Sequence, residues 1–236
     1  MKKFILLIWV LTSIQLMAQK QIVWFDAGLK VQYGATGFIN SAIFDSKDYD
    51  YKIATGYGFG GKLGINFGSS GLSLEAMRSS SKQDFDILSN GKIASISWAT
   101  TDVYALYKNA QNLGYFEIGP KISFISKVED NLENTSNERT AGYNSSNIAG
   151  VVGFGANIMG NDGRFSGILG LRLEYAFTDF VKEGSALNTP LRDKSIFAAG
   201  YQSSNVAFAG VVFELNWGIG YFGKAQCGKR SKFIMF

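Results

Sequence analysis

The sequence predicts an all-β chain, a transmembrane antiparallel up-and-down β-barrel of eight strands. Three observations predict it. Apolar residues alternate with small or polar ones at period two along most of the chain. One of the two faces this creates carries large apolar side chains, and the other carries glycine and charge. The links between candidate strands alternate between short and long.

The N-terminus reads as an export signal. Met1-Lys2-Lys3 is a positive head, Phe4 to Leu11 is an apolar run, and Ala18-Gln19 places a small residue before a polar one. That layout assigns residues 1–18 to a secretory signal peptide, whose run is too short to span a membrane as a helix. Leu16 at the −3 position departs from the small-x-small rule, and a buried N-terminal helix is the alternative. The only cysteine is Cys227, so no lipid-anchoring cysteine follows the run and no intramolecular disulfide staples the fold. Residues 19–222 are expected to form the barrel and 223–236 a periplasmic C-terminal tail. The formal charge of +4 falls to +2 without Lys2 and Lys3 (4 − 2), so the basic balance does not point to nucleic acid. No apolar run of helix-spanning length follows the signal, and a membrane assignment therefore requires a closed barrel.

The strands follow in order. The first covers about 22–34, with Val23, Phe25, Leu29, Val31 and Tyr33 on one face. The second covers 56–67 (Tyr57, Phe59, Leu63, Ile65, Phe67) and the third 72–78 (Leu72, Leu74, Ala76). In the fourth, 96–108, placing Val103, Ala105 and Tyr107 outward keeps Asp102 inward but leaves Tyr104 and Leu106 inside. The fifth covers 114–126 (Phe116, Ile118, Ile122, Phe124) and contains Pro120, which lacks a ladder donor and predicts a bulge or local break. The sixth, seventh and eighth cover 148–159, 165–177 and 205–222. Gly68–Gly71, Asn109–Asn112 and Gly160–Gly163 are tight turns. Residues 35–55, 79–95, 127–147 and 178–204 are long polar links. Short turns on one side and long loops on the other are the plan of outer-membrane barrels, and an even strand count puts both termini in the periplasm. The pattern leaves ten strands open, with Phe38–Phe44 and Tyr49–Ala54 as an added hairpin.

A soluble barrel would bury the apolar face instead. Ring size argues against it, because an eight-stranded interior is only just filled by side chains. The opposite face holds Gly28, Gly58, Gly60, Gly64, Gly119, Gly153, Gly155, Gly170, Gly210, Gly218 and Gly220, while Gly61, Gly150 and Gly167 fall on the outer face.

The segments Gly56-Tyr-Gly-Phe-Gly-Gly-Lys-Leu-Gly-Ile-Asn-Phe67 with Leu72-Ser-Leu-Glu-Ala-Met77, and Tyr115-Phe-Glu-Ile-Gly-Pro-Lys-Ile-Ser123, resemble the small outer-membrane β-barrel domain common in Bacteroidetes. The likeness covers most of residues 22–222. It implies the barrel and not an activity; members include PorT-like proteins of type IX secretion. Thr101-Asp102 stands where that family has Ile-Pro.

Parity places Lys30, Lys62, Lys121 and Arg172 inside with Glu75, Asp102, Glu117, Glu174 and Glu214. Charges of both signs in so narrow a lumen must pair, which predicts a plug of salt bridges. A narrow ion or proton path is the functional alternative. The chain has no histidine, which removes Ser-His-Asp and Cys-His catalysis and His-containing metal sites. No enzyme activity, cofactor or metal is expected. Asp45, Asp48, Asp50, Asp84 and Asp86 read as solvated loop charges, with a weak calcium site at the first three as the alternative. Asn134 and Asn144 head glycosylation-like triplets of the kind that Asn/Ser-rich loops produce by chance. Leu187, Pro190, Leu191, Ile196, Phe197 and Tyr201 give the fourth loop an apolar character suited to folding over the mouth or to meeting a protein partner. The tail's Lys224, Lys229, Arg230 and Lys232 read as a solvated extension. The expected partners are outer-membrane lipid and a protein reached through the loops, and the expected role is structural or interaction-bearing. Export or assembly and a small pore are the alternatives.

Overall fold

The computed structural model describes residues 23–111, 114–132, 135–160, 165–184, 189–192 and 200–219. The expected signal peptide and the tail lie outside these residues. Among the described residues ten strands form: β1 (Val23–Ile39), β2 (Tyr49–Lys52), β3 (Ala54–Phe67), β4 (Ser70–Ile87), β5 (Lys92–Gln111), β6 (Gly114–Leu132), β7 (Thr135–Glu138), β8 (Ser146–Met159), β9 (Phe165–Ala176) and β10 (Asn205–Ile219). One short helix, α1 (Ser41–Phe44), follows β1 and is capped by the Asn40 side chain accepting from the Ala42 amide.

Eight of the strands close a ring in the order β1-β3-β4-β5-β6-β8-β9-β10, and β10 pairs back onto β1 from Phe25↔Ile219 to Ile39↔Asn205. Every pairing is antiparallel. Closure leaves no free edge in the ring, so the backbone groups of its strands satisfy one another.

The question of eight or ten strands resolves as eight in the ring and two accessory strands. The hairpin of Phe38–Phe44 with Tyr49–Ala54 does not form. Phe38 ends β1, Ser41–Phe44 is helical, and β2 pairs with the upper part of β4 (Tyr49↔Ile87 to Lys52↔Asp84). There β2 continues the lane that β3 leaves at Tyr57↔Ser80. In the same way β7 pairs with β6 (Glu129↔Glu138 to Leu132↔Thr135) above the point where β8 leaves it.

Strands β4, β5 and β6 run further than the sequence pattern indicates, so the expected long link 79–95 shrinks to the four residues between Ile87 and Lys92. Their upper halves lack a continuous apolar outer face to display the period; on β4 the outward positions there are Arg78, Ser80, Lys82, Asp84 and Asp86. Asp84 and Asp86, expected in a loop, lie on β4 and pair with Lys82 (2.9 Å) and Lys52 (2.6 Å). Asp50 sits on β2 opposite Asp86. Among the described residues no cluster of three or more acidic, cysteine or histidine side chains is placed to hold a metal ion. Pro120 produces a local break: the β5–β6 ladder pairs Tyr104↔Lys121 and Tyr107↔Ile118 but skips the pairs between them, in unchanged register. The bulge lies higher, between Ala99 and Thr100, where the Ser126 hydroxyl donates to the Ala99 carbonyl.

The outward face is apolar and exposed. Phe25, Leu29, Tyr33, Phe59, Leu63, Leu74, Phe154, Leu171 and Leu173 all point into the surroundings, Leu63 at 66 % exposure. Among the exposed rings two rows can be traced, with Phe59 and Phe154 between them. Tyr33, Tyr57 and Tyr175 mark the upper one; Phe67, Tyr107, Phe165 and Trp217 the lower, with the Phe165 and Trp217 rings 5.5 Å apart. Ten positions separate Tyr57 from Phe67 and Phe165 from Tyr175.

Candidate functional site

The interior is built from the alternate positions of each strand. It is closed at both ends by apolar layers. At the long-loop end Phe38, Phe85, Ile96, Trp98, Val128, Tyr143, Phe180 and Leu191 are buried together with Ile43 of α1. Phe38, Trp98 and Phe180 form a triangle with ring centroids 4.7–5.5 Å apart. Leu191 places the fourth loop over the mouth, as one of its two sequence readings had it; Leu187, Ile196 and Phe197 lie outside the described residues, and Tyr201 is exposed. Polar contacts pin the loops beneath. Asp179 Oδ1 accepts from the Val181 and Ser204 amides, its Oδ2 accepts from Tyr201, and Asn40 donates to Ser204 Oγ (2.9 Å). At the short-turn end Trp24, Ala110, Tyr115 and Ile168 make a smaller layer.

Between these layers sit the charges, and all nine expected inward residues are inside. They divide into two tiers. In the lower tier Lys62 binds Glu214 (2.6 Å) and Asp26 (2.8 Å), while Lys30 binds Glu75 (2.5 Å) and Glu214 (2.8 Å). Arg172 donates through Nε and Nη2 to Glu117 Oε1 (2.8 and 2.5 Å) and through Nη2 to Glu75 Oε2 (3.0 Å). Lys108 completes the tier, 2.8 Å from Glu214 and 3.3 Å from Glu117. The side chains here are at most 2 % exposed. In the upper tier Lys121 binds Glu174 (2.6 Å) and Asp102 (3.3 Å), Ser79 donates to Asp102 Oδ2 (2.6 Å), and Tyr104 donates to Glu174 Oε1 (3.1 Å). The Tyr104 ring separates the tiers, with the Arg172 guanidinium 4.9 Å and the Lys121 ammonium 5.3 Å from its centroid.

Glycine makes room for this. A Cβ on Gly153 would lie 2.6 Å from Glu117 Oε1, and one on Gly64 would collide with Asp26 Oδ1. Two bare backbones therefore let the carboxylates lie flat against the wall.

Sequence reasoning missed two members, Asp26 and Lys108. Both obey the same parity, Asp26 with Gly28 and Lys30, Lys108 with Asp102, Tyr104 and Leu106. Each sits nearer the lower end of its strand than the charges that were named. Lys108 also closed the expected fourth strand, where alternation gives least support.

One titratable pair lies above the barrel proper. Tyr143 donates to Asp130 Oδ1 (2.7 Å), and burial pushes the Asp130 carboxyl up, against the smaller downward pull of that bond and of Arg139. A raised folded pKa means that stability is fully present below the ordinary carboxyl range and declines as pH rises through the raised value. Asp130→Asn, which keeps an acceptor for Tyr143, is expected to flatten that decline. Melting curves of both proteins between pH 4 and pH 7 check this, and parallel curves would count against it.

No family model matches the chain, and no curated protein matches it. Among solved structures it is similar to the outer membrane protein OprG from Pseudomonas aeruginosa, at 13 % identity and a TM-score of 0.37 over 84 % of this chain and 95 % of that one. It is also similar to Neisserial surface protein A, at 9 % identity and a TM-score of 0.39 over 82 % and 98 %. A third is the translocator domain of autotransporter NalP from Neisseria meningitidis, at 9 % identity and a TM-score of 0.26 over 87 % and 91 %. The barrel assignment itself rests on the closed strand pairing.

Proposed function

We propose that the chain is an integral outer-membrane protein that crosses the bilayer as a closed eight-stranded barrel, with a structural or surface-interaction role and no catalytic one. The observation that carries this is the inverted distribution of polarity: apolar rings exposed all round, ion pairs buried within. In water such a molecule would be doubly penalised; in lipid each face meets a suitable surrounding. The ten-position spacing between the two rows of rings supports the same reading, since a tilted strand crosses the hydrocarbon in about 9–11 residues. No helix among the described residues is long and apolar enough to cross a membrane.

The short-turn end then faces the periplasm with both termini, and the long loops face outward. The ion-paired tiers act as a plug that holds the strand register and fills the lumen. Apolar layers above and below the charges favour a closed barrel over a small pore. A PorT-like part in protein export comes from the family resemblance and is tested by whether cargo stays in the periplasm when the gene is removed.

The deciding experiment separates inner and outer membranes and runs the extracted protein on a gel, boiled and unboiled. The expected result is a heat-dependent mobility shift in the outer-membrane fraction. A soluble periplasmic protein with no shift would reverse the assignment of faces.

A further inference from the structure

The lower tier is electrically balanced. Lys30, Lys62, Lys108 and Arg172 face Asp26, Glu75, Glu117 and Glu214, four against four. The upper tier is not, because Lys121 alone faces Asp102 and Glu174. Among the described residues, one negative charge is left over, and the geometry says where it sits. Both Glu174 oxygens are engaged, by Lys121 and Tyr104. Asp102 Oδ2 takes Ser79 and Lys121, whereas Asp102 Oδ1 has no hydrogen-bond partner although the residue is completely buried.

Asp102 lines a chamber between the upper tier and the apolar cap, with free room of about 40 Å³. That is space for a few water-sized groups. A second unpartnered buried acceptor, Gln32 Oε1, belongs to another of its lining residues, and Thr100 and Ser123 add hydroxyls. Trp98 and Phe180 form the roof. Lys121 and Glu174 also line the chamber; counted with Asp102 they leave one negative charge, which with two idle acceptors and oxygen-rich walls suits a positive occupant of atomic size. An anion would meet Asp102, and a neutral molecule would leave the charge standing in a low-dielectric interior.

We infer that this chamber is a binding site for a monovalent metal cation, held by Asp102 Oδ1 and Gln32 Oε1 with water in the remaining positions. The cation completes the charge balance of the lumen and is a structural constituent of the closed barrel.

The test is anomalous diffraction from crystals of the purified full-length protein soaked in thallium(I), with thermal unfolding at constant ionic strength in potassium, sodium or N-methylglucamine chloride. The expected result is an anomalous peak beside Asp102 Oδ1. A melting point about 3–6 °C higher in one alkali salt than in N-methylglucamine, at tenfold the dissociation constant, is expected with it. Asp102→Asn removes the surplus charge and should lose both signals. Gln32→Glu adds charge to the same chamber and should strengthen the cation dependence, which keeps the test open if the first variant folds poorly. No peak in the wild type, with a melting point indifferent to the cation, would overturn the inference. An infrared band of a protonated carboxyl that vanishes in Asp102→Asn would overturn it too, by showing that a proton supplies the missing charge.

Discussion

Glu117→Ala is expected to lower the stability of the folded barrel by about 3–5 kcal/mol while leaving membranes that contain it as electrically tight as before. Glu117 holds Arg172 by two donors, and it also faces Lys108 at 3.3 Å and Lys30 at 3.8 Å. Truncation leaves a buried guanidinium with only Glu75 and turns a balanced tier into a positive one. The cost comes from that stranded charge and not from the intrinsic value of the pair, which in a dry interior is modest. Conductance stays low because the barrier is layered: Met77, Tyr104, Leu106 and Val151 fill the barrel at other positions, and apolar layers close both ends. Urea unfolding in lipid or detergent and planar-bilayer recordings make the two measurements. An unchanged unfolding midpoint, or a new channel, would show that the charges do not act as a plug.

The second large effect is expected on the other face. Leu171→Arg puts a cation beside Arg172 in sequence but on the outside of the wall, next to Val211 and Phe154 on the neighbouring strands. Leu171 lies between the two rows of rings and is 47 % exposed. If that face meets hydrocarbon, the substitution costs about 2–4 kcal/mol near the midplane. If it meets water, a surface change of this kind stays within about 0.5 kcal/mol. Unfolding of the reconstituted protein separates the two values, and a near-neutral result would remove the membrane from the assignment.

The parts of the fold that were legible in the sequence are those where the two faces of one strand carry opposite chemistry. Between the rows of rings an exposed apolar face stands opposite a crowded, charged lumen, and residues such as Leu29 and Lys30 declare their faces. Tyr104 and Leu106 looked misplaced, yet they are where parity put them: the ring of Tyr104 is the divider between the charge tiers, and Leu106 packs with Met77 and Val151. Above the upper row the outward positions of β4 are Arg78, Ser80, Lys82 and Asp84, and the inward ones include Ser79, Ser81 and Gln83, so neither face shows an apolar period and the segment read as loop. The cap was hidden for a related reason. Phe38, Ile43, Phe85, Tyr143 and Phe180 come from separate segments that share no pattern, and only closure of the ring brings them together.

The unequal strand lengths have a consequence for what an approaching object would touch. β5 has 20 residues and β9 has 12. A crossing uses about ten, so β5 has a surplus of roughly ten residues, about 23 Å of height at a 45° tilt. With β2 and β7 continuing the lanes of β3 and β8, the upper structure is a five-stranded screen, β2-β4-β5-β6-β7, standing on one side of the mouth. Its two free edges are only four residues long and carry Asp50, Lys52 and Glu138, which discourages a further strand from adding there. Set in a bilayer, the protein has a front and a back. If the long-loop end faces outward, as proposed above, a large body arriving there meets the screen first, while lipid headgroups and lateral neighbours can come right up to the low rim at β9.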